Sequence, residues 1–228
     1  MSVLCWDFDG TLVWAPKLWT RSVYAALKAE DPSTKMKIRD VRVRMAWGFP
    51  WHEPEKDYRS STGERWWQRM NIKFYEDYLK LGVSEPIARR AAQRVREFVL
   101  RPENFLPYPD ASVALRMARK KGYRQIILSN NFPELPGIVK ALGLGMYLDG
   151  YVVSGVVGFE KPNPEIFAVA KRMFPDETEF VMISDNTEVD ILGARAAGMK
   201  TTLVHQVANL EADEWAEELS ELKFLFGE

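Results

Sequence analysis

The chain has one cysteine, Cys5, and two histidines, His52 and His205, among 228 residues. A lone thiol excludes an internal disulfide and a cysteine-built metal site. Cys5 lies within the first apolar run, where a thiol is expected to be buried and inert. His52 stands beside Glu53 with no second histidine near it, so the pair is not the core of a zinc site. No stretch approaches the roughly 18 apolar residues of a membrane span. No basic segment precedes the first apolar run and acid arrives at Asp7, which argues against a signal peptide. Repeats and low-complexity tracts are missing too. These absences point to a cytoplasmic protein with no membrane partner. Net charge is also nearly absent: 31 Lys and Arg against 32 Asp and Glu leave −1. Nucleic acid is therefore not an expected partner.

What is present is ample material for a core, with eight tryptophans and twelve phenylalanines. Short, continuously apolar runs recur at Val3–Trp6, Gln125–Leu128, Phe180–Ile183 and Thr201–Val204, and Val152–Val153 belongs to a fifth. Such runs read as strands buried on both faces, the mark of a parallel sheet covered by helices. Helices fit between them. One follows Asp110, with Val113, Leu115, Met117 and Ala118 inward; another starts at Pro164; a third runs from Glu188 to Ala197 and stops at Gly198. The fold class is α/β, a doubly wound, Rossmann-like parallel sheet.

One interval breaks the alternation, because more than a hundred residues separate the first strand from the second. Trp66, Trp67, Met70, Phe74 and Tyr78 recur at helical steps, and a second helix begins near Ser84. Residues 45–61 read as irregular. Residues 16–106 hold 19 Lys and Arg against 12 Asp and Glu, while the remainder holds 12 against 20. The expected organisation is an α/β core of residues 1–15 and 107–228 with a basic, all-helical insertion at 16–106. Trp215, Leu219 and Leu222 predict a packed C-terminal helix.

Ligands of such sheets collect at the carboxyl ends of the strands. Four stretches stand there: Asp7-Phe8-Asp9-Gly10-Thr11-Leu12, Ser129-Asn130-Asn131, Lys161-Pro162-Asn163-Pro164, and Ser184-Asp185 followed by Asp190. Each alone passes for a turn, a helix cap or a loop lysine. Together they would place three carboxylates, a lysine and a hydroxyl in one crevice. Carboxylates as close as Asp7 and Asp9 repel, which calls for something positive between them.

In these four stretches the chain resembles the haloacid dehalogenase-like hydrolases, in particular phosphatase-type members with a helical (C1-type) cap inserted after the first motif. Ser184 departs from the family's usual glycine. The resemblance implies Asp7 as nucleophile and Asp9 as general acid and base. It implies Mg²⁺ held by Asp7, the backbone carbonyl of Asp9, and Asp185, with Asn186 and Asp190 supporting the metal site. Lys161 would offset charge at Asp7 and at the transferring group. Ser129 and the backbone N–H groups of Asn130 and Phe8 would hold phosphate oxygens. Gly10 would permit the tight turn, and Thr11 would orient Asp9. An aspartate at position 9 points to phosphoryl transfer rather than dehalogenation. The expected activity is hydrolysis of a small phosphorylated metabolite. Alternatives are a phosphomutase or phosphotransferase using the same intermediate, and a non-catalytic binding protein of the same fold. Arg44, Trp47, Phe49, Trp51, His52, Arg65, Trp66, Trp67 and Arg69 are candidate substrate contacts in the insertion, although the tryptophans also suit helix packing. Residue pattern alone leaves oligomeric state open.

Overall fold

The computed structural model describes residues 2–207 and 211–226. The chain enters through strand β1 (Ser2–Trp6), whose residues alternate between two cores. Leu4 and Trp6 point into one apolar cluster, Val3 and Cys5 into the other. This alternation is what a strand covered on both faces requires. A tight loop then leads to the short strand β2 (Val13–Trp14), followed by helices α1 (Leu18–Glu30), α2 (Ile38–Arg44), α3 (Glu64–Lys80) and α4 (Glu85–Val99). The chain returns through β3 (Leu106–Pro107), which pairs antiparallel with β2. Both connections to the helical segment are thus hydrogen-bonded to each other.

Alternation resumes with α5 (Ala111–Lys120), β4 (Arg124–Ser129), α6 (Leu135–Ala141), β5 (Gly150–Val153), α7 (Ser154–Val157), α8 (Pro164–Arg172) and β6 (Glu179–Ser184). It ends with α9 (Leu192–Ala196), β7 (Lys200–Val204), β8 (Glu214–Ala216) and α10 (Lys223–Phe226). The main sheet has the order β5-β4-β1-β6-β7-β8, and every neighbouring pair is parallel. β1 lies between β4 and β6, so the order reverses direction there. Helices α5 and α6 share the core of Leu4 and Trp6, while Ile166, Phe167 and Ala170 of α8 and Ala194 of α9 cover the opposite face. The doubly wound sheet is the expected one. Among the described residues, no helix is long and apolar enough to cross a membrane.

Three expectations need correction. The C-terminal helix over Trp215, Leu219 and Leu222 is a sixth strand, β8, followed by turns. Asp213 sets it: its carboxylate accepts from the backbone N–H and the hydroxyl of Thr201, at 2.8 and 2.9 Å, and so draws the returning chain against β7. The segment after β6 is not one α-helix. It opens with a π-helical turn at Thr187–Ile191 before α9. In α5 the inward positions are Ala111, Ala114, Leu115 and Ala118, and Val113 is exposed. Two helices of the insertion, α1 and α2, were not legible individually. Residues 45–61 are irregular as expected, with 3₁₀ turns at Pro50–His52 and Arg59–Ser61.

The helical segment packs on itself through aromatics. Trp19 of α1 lies 4.9 Å from Phe49, 6.1 Å from Trp66 and 6.0 Å from Phe74, centroid to centroid. Its ties to the sheet domain are both aromatic, through Trp19 and Trp67 on Phe132, and polar. Trp67 Nε1 donates to both oxygens of Glu134, at 2.8 and 3.1 Å, and Arg96 pairs with the same carboxylate.

Candidate active site

The site is built on the tips of β1, β4 and β6. Asp7 follows β1, its N–H donating to Ile183 O at 3.0 Å, and the chain then turns back, with Leu12 N and Val13 N both donating to Phe8 O. The Phe8 ring is fully buried beside Phe105. Gly10 makes this loop possible. Its φ is +89°, and a Cβ there would overlap the carboxyl of Asp185.

One cavity of 560 Å³ collects the strand tips. Asp7, Asp9, Gly10, Ser129, Asn130, Lys161, Asp185, Asn186 and Asp190 all line it. Lys161 is at its centre, almost wholly buried. Its ammonium donates to Asp7 Oδ1 at 2.9 Å and to Leu128 O at 3.0 Å, and pairs with Asp190 Oδ1 at 2.7 Å. Those three acceptors use all three of its N–H groups. Burial alone would lower its pKa, but Asp190 and Asp7 outweigh that and hold it above the ordinary lysine value. Asn130 fixes the lysine's backbone, accepting from Lys161 N at 2.6 Å and donating to Lys161 O at 2.9 Å.

Asp9 is treated differently. Asn131 Nδ2 donates to its Oδ2 at 2.7 Å, while Oδ1 is buried without a hydrogen-bond partner among the described residues. Burial, and then the nearby charge of Asp7, push its pKa up to about 7, against the opposing bond from Asn131. Asp185 is also raised, first by burial and then by Asp7. Thr11 serves Asp185, not Asp9 as expected: its hydroxyl donates to Asp185 Oδ1 at 3.3 Å and accepts from Asp185 N at 3.1 Å. Asp190 is bonded by the Ser184 hydroxyl as well as by Lys161, and burial raises its pKa. Asn186 caps the turn after β6 by accepting from Val189 N at 3.0 Å.

Of the insertion's candidates, Arg44, Trp47, Arg65 and Arg69 do not line this cavity. Arg44, Trp47 and Arg69 border a separate hollow of 430 Å³ on the helical segment. Arg69 lies over the Tyr58 ring, 4.3 Å from its centroid. Arg65 is exposed and donates to Ser60 O. Of the candidates, Trp51 does line the cavity, and the insertion adds Lys17, Leu18, Trp19, Thr20 and Met45, next to Trp14 of β2. Asn131 stands in the second stretch, but its role as partner of Asp9 was not expected. Its only sequence signal is adjacency to Ser129-Asn130.

A model of haloacid dehalogenase-like hydrolases matches residues 1–198. The chain belongs to that family. The human haloacid dehalogenase-like hydrolase domain-containing protein 3 is 31% identical over 213 residues, 89% of this chain and 81% of that protein. A phosphoserine phosphatase of Thermus thermophilus is 32% identical over 120 residues, which cover 50% of this hydrolase and only 47% of the relative. Among solved structures, the HAD-hydrolase YfnB of Bacillus subtilis, bound to magnesium, superposes with a TM-score of 0.71 at 18% identity. That match spans 99% of this chain and 97% of the other, a likeness of fold.

Proposed function

We propose that this family member hydrolyses phosphate monoesters through an aspartyl-phosphate on Asp7. The observation that carries the reading is the unequal environment of two aspartates in one cavity. Lys161 pairs with Asp7, at 2.9 Å, which holds it as an oriented carboxylate nucleophile. Asp9 has a pKa of about 7 and one oxygen without a hydrogen bond, which suits a group that gives and retakes a proton near neutrality. An Asp7 oxygen attacks phosphorus, and the departing alkoxide takes the proton of Asp9. Asp9, now a carboxylate, then accepts a proton from water as that water attacks phosphorus and releases Asp7. The Ser129 hydroxyl and the N–H groups of Phe8 and Asn130 are assigned to the phosphate oxygens. The phosphoserine phosphatase named above supports a small phosphorylated metabolite as substrate. Residues 16–106 act as the cap over the site.

Mg²⁺ is the proposed cofactor. The donors fit a hard cation: Asp7, Asp9 and Asp185 bring three carboxylates against one ammonium, and the absent Cβ of Gly10 leaves room for Asp185. Among the described residues, no group of three or more His, Cys, Asp or Glu side chains is placed to hold a metal ion. Mg²⁺ needs no such cage, because it binds through one or two carboxylates and keeps several waters. Asp7, Asp185 and the Asp9 carbonyl would hold it, with Asn186 and Asp190 close by, and it would neutralise charge on the phosphate and its nucleophile.

The test is turnover of 4-nitrophenyl phosphate with Mg²⁺. Asp7→Asn and Asp9→Asn should both be inactive, and only Asp7→Asn should also fail to take up a covalent phosphoryl group. Equal rates for the wild type and Asp7→Asn would sink the assignment.

A further inference from the structure

The cavity has two chemically different ends. One is the array of carboxylates, amides and Lys161 already described. The other is contributed by β2 and the insertion and is apolar: Trp14, Leu18, Trp19, Met45 and Trp51. Only Lys17 and Thr20 interrupt it, and Lys17 is exposed, where solvent screens its charge. No arginine, histidine, aspartate or glutamate of residues 16–106 lines this wall, although that segment holds 19 Lys and Arg and 12 Asp and Glu. Its arginines are engaged elsewhere, Arg69 on Tyr58 and Arg96 on Glu64 and Glu134.

Resting on the phosphatase reading, we propose that the alcohol half of the substrate is a flat, apolar group of aryl or aryl-alkyl type, packed against Trp14, Trp19 and Trp51. The cavity of 560 Å³, shared between the two ends, has room for a phosphate and a ring together. An amino-acid phosphate would bring an ammonium to a wall with no carboxylate to receive it. A sugar phosphate would bring several hydroxyls to a wall with one hydroxyl and one exposed ammonium. Each polar group buried without a partner weakens binding. An aromatic group carries no such cost and gains ring contact with the tryptophans. Trp51 is held for the purpose, stacked on Phe49 at 4.5 Å and 8°.

The experiment compares kcat/KM for benzyl phosphate and 1-naphthylmethyl phosphate with that for phosphoglycolate and O-phosphoserine, whose alcohols differ little as leaving groups. The aryl-alkyl esters should be favoured by roughly 10- to 100-fold, the range over which apolar pockets discriminate. Trp51→Ala and the surface variant Trp14→Ala should raise KM for the naphthylmethyl ester about tenfold with a smaller change in kcat, as lost uniform binding does. Trp47→Ala, on the separate hollow, should change neither. Equal or better turnover of phosphoserine or phosphoglycolate overturns the proposal. So does an unchanged KM in both folded tryptophan variants. Absence of turnover with every ester, 4-nitrophenyl phosphate included, overturns the phosphatase reading and this inference with it.

Discussion

Asp7 and Asp9 stand two residues apart with opposite surroundings, and single side chains account for the difference. Lys161 neutralises one, and Asn131 grips one oxygen of the other. Both motif aspartates were legible because they close an apolar strand. The role of Asn131 was not, because nothing in a run of two asparagines tells which one reaches across to another strand's loop. Ser184, the departure from the family's glycine, is accommodated by use: its hydroxyl bonds Asp190 and accepts from Asn186 N at 3.1 Å. Gly10→Ala should lower both kcat and the melting temperature. A non-glycine residue at its φ costs about 1–3 kcal/mol, and the new methyl displaces Asp185. A second residue-scale prediction concerns Glu160, buried beside Ser154 with Oε2 unbonded among the described residues and its pKa pushed by burial up to about 7. Between the ordinary glutamate value of 4.5 and about 7, the folded protein keeps a proton that the unfolded chain releases. Its contribution to stability is therefore complete below that window and lost as pH rises through it. Urea denaturation should show Glu160→Gln flattening the fall in stability from pH 5 to 8 by about 3 kcal/mol at most.

At the scale of elements, the strands of the core were readable because each is a short run buried on both faces. β8 was not, because Glu214 and Trp215 are exposed and its register comes from Asp213 on Thr201, a contact no local pattern encodes. Asp213→Ala should cost about 1–3 kcal/mol in urea denaturation, the penalty for orphaning the Thr201 donors, with kcat at the distant site unchanged. The insertion's two longest helices were legible from apolar spacing, but which face meets the cavity was not. That depends on how the helices dock, and the docking leaves Arg65 exposed and Arg69 on Tyr58 while bringing Trp19 and Trp51 to the cavity. Trp66→Ala, within the buried cluster around Trp19, should destabilise the chain by about 3–5 kcal/mol in thermal or urea unfolding.

Over the whole molecule, a basic helical segment faces an acidic α/β domain across a cavity. Glu134 receives both Trp67 and Arg96 from the opposite side, making it a junction between the halves. The excess of carboxylates at the strand tips makes the proposed chemistry depend on a cation. Dialysis against a chelator should abolish turnover and addition of Mg²⁺ should restore it. Asp185→Asn should need more Mg²⁺ for half-maximal rate, read directly as a titration of activity.

Cys5 has a consequence of a practical kind. The thiol is sealed in the sheet and burial raises its pKa above the ordinary value, so it is closed to alkylating reagents. The chain is therefore a blank background for site-directed labelling. A dye pair placed through Trp47→Cys on the helical segment and Met173→Cys on the other, both exposed positions, would attach nowhere else. Energy transfer between the dyes would then report, molecule by molecule, how far the helices swing from the sheet during a catalytic cycle.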